Sequence, residues 1–139
     1  MSRRNRAREV ALQILFEDEM NPRDSVRDLR QFVANRLKSS ELEKFSITLI
    51  QGVRRNQAEL DGLLDKTADN WSLARMANTD RNVLRLGAFE ILFTETPDRV
   101  AINEAVDLAK RFGSANSAPF VNGILDKLLH REDGTPTSS

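Results

Sequence analysis

The sequence predicts an all-α fold, and three observations carry that reading. Apolar residues recur at helical spacing along most of the chain. No stretch alternates apolar and polar residues over the length of a strand, and only six glycines and four prolines interrupt 139 residues. Ala7, Val10, Ala11, Ile14 and Leu15 form a first stripe that stops before Asn21-Pro22. Val26, Leu29, Val33 and Leu37 form a second, with Asp24 or Ser25 expected as its N-cap. Ser40 followed by Glu43 is a capping-box pattern opening a third, longer helix, whose buried face takes Phe45, Leu49, Val53, Leu60 and Leu64. From Thr67 to Asn78 the pattern weakens, and Trp71, Leu73 and Met76 fit either a short helix or a helical linker.

Val83, Leu84, Leu86, Phe89, Ile91 and Leu92 make a strongly apolar helix that must stop before Pro97. Ile102, Ala105, Val106, Ala109 and Phe112 make the next, with Gly113 expected as a left-handed C-cap. Phe120, Val121, Ile124, Leu125, Leu128 and Leu129 make the last. Asn122-Gly123 is a common hairpin turn, yet its flanks repeat at helical spacing, so it reads as helix. Glycine inside a helix costs about 1 kcal/mol relative to alanine; close packing against its bare backbone is the expected reason for Gly123. About seven helices result, divided into subdomains at 1–68 and 69–131. The polar tail 132–139, with Gly134 and Pro136, is expected to be disordered.

Composition narrows the function. A chain that is 40% hydrophobic and 30% charged is an ordinary globular protein. It has no cysteine, hence no disulfide framework arguing for secretion. The basic start could imitate a signal peptide, but Val10 to Phe16 is broken by Gln13 and runs into Glu17-Asp18-Glu19. No apolar run approaches the roughly 20 residues that span a bilayer. A cytoplasmic protein without a membrane partner is expected.

Chemistry is poorly provided for. His130 is the single histidine, and cysteine and tyrosine are absent, which removes the common zinc sets, Cys-His pairs and the Ser-His-Asp arrangement. There is no glycine-rich phosphate loop or dinucleotide turn. The Glu17/Glu19 pair lies on a helix surface without an apolar pocket. Asn103 and Glu104 read as first-turn residues that bond free N–H groups and complement the helix dipole. No catalytic residue, metal or cofactor is expected.

Binding is better supported. The net charge of zero hides an asymmetry: residues 1–8 hold four arginines and no acid, leaving 17 basic against 21 acidic groups, net −4, in the rest. That pattern reads as a focused anion contact on an otherwise repelling body. Arg4 and Arg8 are spaced to share one helix face, while Arg3 and Arg6 project elsewhere or belong to a flexible arm. Arginine suits phosphate through its planar fork and also stacks on bases. Phe120 follows the small polar loop Ser114 to Pro119 and stands near a helix N-terminus, which offers N–H groups to phosphate. It can stack on an unpaired base, or it can open the core stripe that continues through Ile124.

Three segments, in order, resemble the NusB family of bacterial transcription antitermination factors. They are Arg3-Arg4-Asn5-Arg6-Ala7-Arg8-Glu9-Val10-Ala11-Leu12-Gln13, Val100-Ala101-Ile102-Asn103-Glu104-Ala105-Val106-Asp107-Leu108-Ala109-Lys110 and Phe120-Val121-Asn122-Gly123-Ile124-Leu125-Asp126-Lys127. The resemblance implies two packed helical subdomains that bind a short single-stranded boxA RNA together with the ribosomal protein NusE. The pair then supports an RNA polymerase antitermination complex on ribosomal RNA operons. It further implies Arg3, Arg4, Arg6 and Arg8 as phosphate clamps, and Asn116, Ser117 and Phe120 as base readers. The NusE surface is expected near Asp80, Arg81 and Arg85.

The chain departs from the family pattern where Asn5 replaces an arginine, where Asn116 and Pro119 replace an acidic and a basic residue, and in a Thr94-to-Pro97 turn one residue short. The alternatives are a NusB-fold RNA-binding module of an RNA methyltransferase, which the chain length disfavours, and a structural homo-oligomer, such as a homodimer, that buries its arginine tip.

Overall fold

The computed structural model describes residues 3–21 and 28–134, with side chains through residue 130. The described residues form six α-helices and one 3-10 turn, with no strand. The helices are α1 (Asn5–Met20), α2 (Leu29–Arg36), α3 (Ser40–Thr67), α4 (Asn78–Phe93), α5 (Asp98–Phe112) and α6 (Ser117–Gly134); the 3-10 turn is Leu73–Arg75. The chain divides into two compact units, Met1–Arg55 and Asn56–Ser139. The division falls inside α3, where Asn56 leaves helical geometry (φ −106°, ψ 15°). Residue 68, where the apolar pattern weakens, lies just past the end of that helix.

In the first unit the α1 stripe is buried throughout, from Ala7 to Leu15. Helix α1 is tied to α3 at two levels. The Ser46 hydroxyl donates to the Ala7 carbonyl (2.9 Å), and Arg54 forks onto Asp18 through two 2.8 Å hydrogen bonds. That hydrogen bonding, helped by the charge of Asp18, holds the Arg54 guanidinium above its ordinary pKa against the opposing pull of burial. Two caps differ from expectation. Asp28 caps α2 by accepting from the Gln31 N–H (3.3 Å), and Asp24, Ser25 and Val26 lie outside the described residues. Ser39, not Ser40, caps α3 by accepting from the Leu42 N–H (3.3 Å). A hydroxyl one residue earlier reaches the same free donors, and several serines compete for the role.

In the second unit α4, α5 and α6 pack pairwise on one another. Val83, Leu84, Leu86, Ala101, Ile102, Leu108, Val121, Leu125 and Leu128 form the interior. The C-terminal half of α3 joins this unit through buried Leu60 and Leu64, and through Asp61, which receives a two-pronged ion pair from Arg85 (2.7 and 2.9 Å). The close-packed helical glycine is Gly87 rather than Gly123. A Cβ on Gly87 would stand 2.6 Å from Leu125 Cδ1 and 3.2 Å from Ala105 Cβ, whereas one on Gly123 would meet nothing within 4 Å.

The short turn after α4 closes on itself. The Thr94 hydroxyl donates to the Glu90 carbonyl (2.8 Å), and the Thr96 hydroxyl donates to the buried Glu90 carboxylate (2.9 Å). Asp98 then occupies the first turn of α5, so Asn103 and Glu104 lie a turn further in than expected. Phe112, expected in the core, is exposed at the end of α5, with the Arg111 guanidinium over its ring. Gly113 is extended (φ −98°, ψ −163°), not left-handed. Its constraint is space, because a Cβ would stand 2.7 Å from Ser117 Cβ and 2.8 Å from the Ala109 carbonyl oxygen. Helix α6 continues through Gly134, beyond the expected start of the tail, and residues 135–139 lie outside the described residues.

Candidate nucleic-acid interface

The arginine tip divides into an outer and an inner part. Helix α1 opens without a side-chain cap and without an acid in its first turn, so its positive dipole end is not offset by a first-turn carboxylate. Arg3, Arg4 and Arg6 are exposed there. Arg3 makes a long ion pair with Glu41 (3.6 Å) with both side chains largely in water; such a pair contributes little to stability and is easily exchanged. Arg6 bonds Glu9 at 3.1 Å one turn on. Arg4 lays its guanidinium over the half-buried Phe45 ring, 4.2 Å from the centroid.

Arg8 corrects the sequence expectation. It shares the Arg4 face as its spacing predicts, but one turn further along α1 that face is covered, and Arg8 is 2% exposed with its guanidinium 5.2 Å from the Phe45 centroid. A side chain so enclosed is packing material for α1 on α3, not a surface phosphate clamp.

On the second unit, the loop from Gly113 to Asn116 carries Asn116 into solvent. Ser117 is 2% exposed, and its hydroxyl accepts from the Ser114 N–H (2.9 Å). It therefore braces the loop instead of facing a ligand, a second correction. Pro119 sits in the first turn of α6, where a missing N–H costs nothing. Phe120 is half-buried, and its ring stands edge-on to Trp71, with centroids 5.3 Å apart and planes at 78°. Trp71, which falls in the weakly patterned linker, carries no binding role expected from the sequence. Its signal was a large aromatic in the polar run Asp69-Asn70-Trp71-Ser72, outside any helical stripe.

The expected partner residues are mostly engaged in the fold. Arg85 is 5% exposed and bonds Asn82 as well as Asp61. Arg81 donates to the Leu73 and Met76 carbonyls (3.0 and 2.7 Å), closing the end of the 3-10 turn. Burial makes this a correction to a surface role for Arg85, whereas Arg81 is half-buried and keeps part of its side chain in solvent. Asp80 occupies the first turn of α4. Among the described residues, no group of three or more histidine, aspartate or glutamate side chains could hold a metal, and no helix is long and apolar enough to cross a membrane.

The NusB family model matches residues 5–130. The chain belongs to the NusB family. Its relatives include the transcription antitermination protein NusB of Desulfatibacillum aliphaticivorans, 44% identical over 132 residues, 94% of this chain and 92% of the relative. The solved T. maritima NusB is 37% identical with a TM-score of 0.80, covering 93% of this chain and 92% of that one. A chain from a crystal structure of antitermination factors NusB and NusE in complex with double-stranded RNA is 24% identical, covers 94% of this chain and 98% of its own length, and shares the fold with a TM-score of 0.82. Five of the six α-helices of this NusB-family chain begin and end within the matched span, and α6 begins within it and runs past residue 130.

Proposed function

We propose that this NusB-family chain is a non-catalytic, cytoplasmic RNA-binding adaptor of transcription antitermination. It takes a short single-stranded boxA element together with NusE, as part of an RNA polymerase antitermination complex on ribosomal RNA operons. The observation that carries this reading is the exposed group of Arg3, Arg4 and Arg6 at the open start of α1, on a chain that is net negative elsewhere. Three exposed arginines beside the positive end of a helix dipole attract a phosphate backbone, and the acidic remainder confines the contact to that end. Phe120 and Asn116 supply the base contacts in this reading: a half-exposed ring for stacking and an exposed amide for hydrogen bonding. Asp80 and Arg81, both half-buried, are the partner-facing candidates of the three expected on α4.

A gel-shift of the purified chain against boxA RNA over a salt series, with and without NusE, tests the reading. Salt-sensitive binding is expected. Phe120→Ala should weaken it by about 1–3 kcal/mol, with little change in melting temperature. A large drop in melting temperature would make Phe120 a core residue, and no shifted complex under either condition would overturn the function proposed.

A further inference from the structure

Beside Phe120 stands a second and more open aromatic. Trp71 is 57% exposed, whereas its neighbours Leu73 and Met76 are buried and anchor the segment. Tryptophan is highly buried on average, so an indole with more than half of its surface in water withholds much of its apolar area from the fold. Among the described residues its ring neighbour is Phe120, which stands edge-on. An edge-on pair places the edge of one ring against the face of the other. Whichever ring supplies the edge, at least one face of the indole is not covered by Phe120.

The surroundings of that indole suit a nucleotide. A cavity of about 420 Å³ is lined by Asp69, Asn70, Trp71, Ser72 and Arg75, within the ~300–1,000 Å³ range of small-ligand sites. Arg75 is exposed and supplies a cation at the rim. Asn70 and Ser72 carry an amide and a hydroxyl, the donor–acceptor groups that read base edges. Asp69 would repel phosphate, but Lys127 of α6 pairs with it. The backbone there is held by a left-handed Asp69 (φ 50°) and by the Trp71 N–H bonding the Ala68 carbonyl (3.1 Å), so the indole is presented from a fixed turn.

We propose that Trp71 is a second stacking platform for an unpaired RNA base, adjoining Phe120, so that this unit seats two bases instead of one. The proposal rests on the RNA-binding function proposed above. The chain provides its own probe: Trp71 is the single tryptophan and there is no tyrosine, so tryptophan-band emission reports this residue alone. Titrating the full chain with single-stranded boxA RNA should quench that emission, with the same midpoint as the anisotropy of labelled RNA. The same RNA annealed to its complement should not quench it, because paired bases are already stacked. Trp71→Ala should weaken single-strand binding by about 5–150-fold, and Trp71→Phe should restore most of the loss.

If RNA binds by anisotropy while emission stays constant, or the alanine variant binds like the parent, the platform is overturned and the antitermination reading stands. If emission responds to NusE alone and not to RNA, Trp71 is a protein contact and the platform is likewise overturned. If no RNA binds with or without NusE, both the platform and the reading beneath it fail.

Discussion

Arg4 and Arg8 lie on one face of α1, but one residue ends in water and the other in the interior. The spacing that places them together was legible in the sequence. Which side of the helix α3 would cover was not, because that depends on where Phe45 and Ser46 arrive from a distant segment. The difference has a measurable consequence. Arg8→Ala should cost about 2–4 kcal/mol of stability, since it empties packed volume over Phe45. Alanine at Arg3 or Arg6 should stay within about 0.5 kcal/mol of the parent. RNA affinity should divide the other way. If Arg3, Arg4 and Arg6 each neutralise a phosphate, the log–log salt slope on single-stranded RNA should be about −2.1, and each loss should reduce it by roughly 0.7. Melting curves beside salt titrations check this; an Arg8→Ala chain that melts normally but loses slope would return Arg8 to the interface. Ser117 and Arg85 teach the same lesson. The resemblance implies a contact role for each, whereas burial commits each to partners within its own unit.

At the scale of elements, the helical periodicity located all six helices, and the caps slipped by a few residues where neighbouring side chains compete for the same free N–H groups. The glycines were less legible, because a glycine in a helix reads alike whether its face is crowded or bare. Gly87 meets Leu125 and Ala105, while Gly123 faces open space. Opposite outcomes follow for the same substitution. Gly87→Ala should destabilise by about 1–3 kcal/mol through overpacking: the fully buried Leu125 must swing its Cδ1 away from the new methyl, which also crowds Ala105 Cβ. Gly123→Ala should stabilise by up to about 1 kcal/mol through helix propensity. Chemical denaturation of both variants checks the pair of signs; a stabilised Gly87→Ala would mean that α4 and α6 are less tightly packed than the geometry requires.

For the whole molecule, the charge distribution sets how RNA and a partner protein act together. A net −4 outside the arginine tip limits how tightly the chain alone can hold a polyanion. NusE, if it adds positive surface beside the same strand, should tighten RNA binding, and by linkage RNA must tighten NusE binding by the same factor. A coupling of about 1–3 kcal/mol, roughly 5–150-fold, is the ordinary range. Titrating RNA into the free chain and into the preformed pair measures it directly; equal dissociation constants would remove the adaptor mechanism while leaving RNA binding in place.

Periodicity, the scarcity of breakers and the three family segments determined by themselves that this chain is helical and belongs among NusB-like proteins, because those signals are local and survive without knowledge of any contact. Exposure is not local. Whether Arg8 faces water, whether Gly123 or Gly87 needs its missing side chain, and whether Trp71 meets Phe120 all depend on residues distant in sequence arriving at one place. Only the tertiary structure decided those questions, since burial is a property of packed neighbours and not of the residue that is buried.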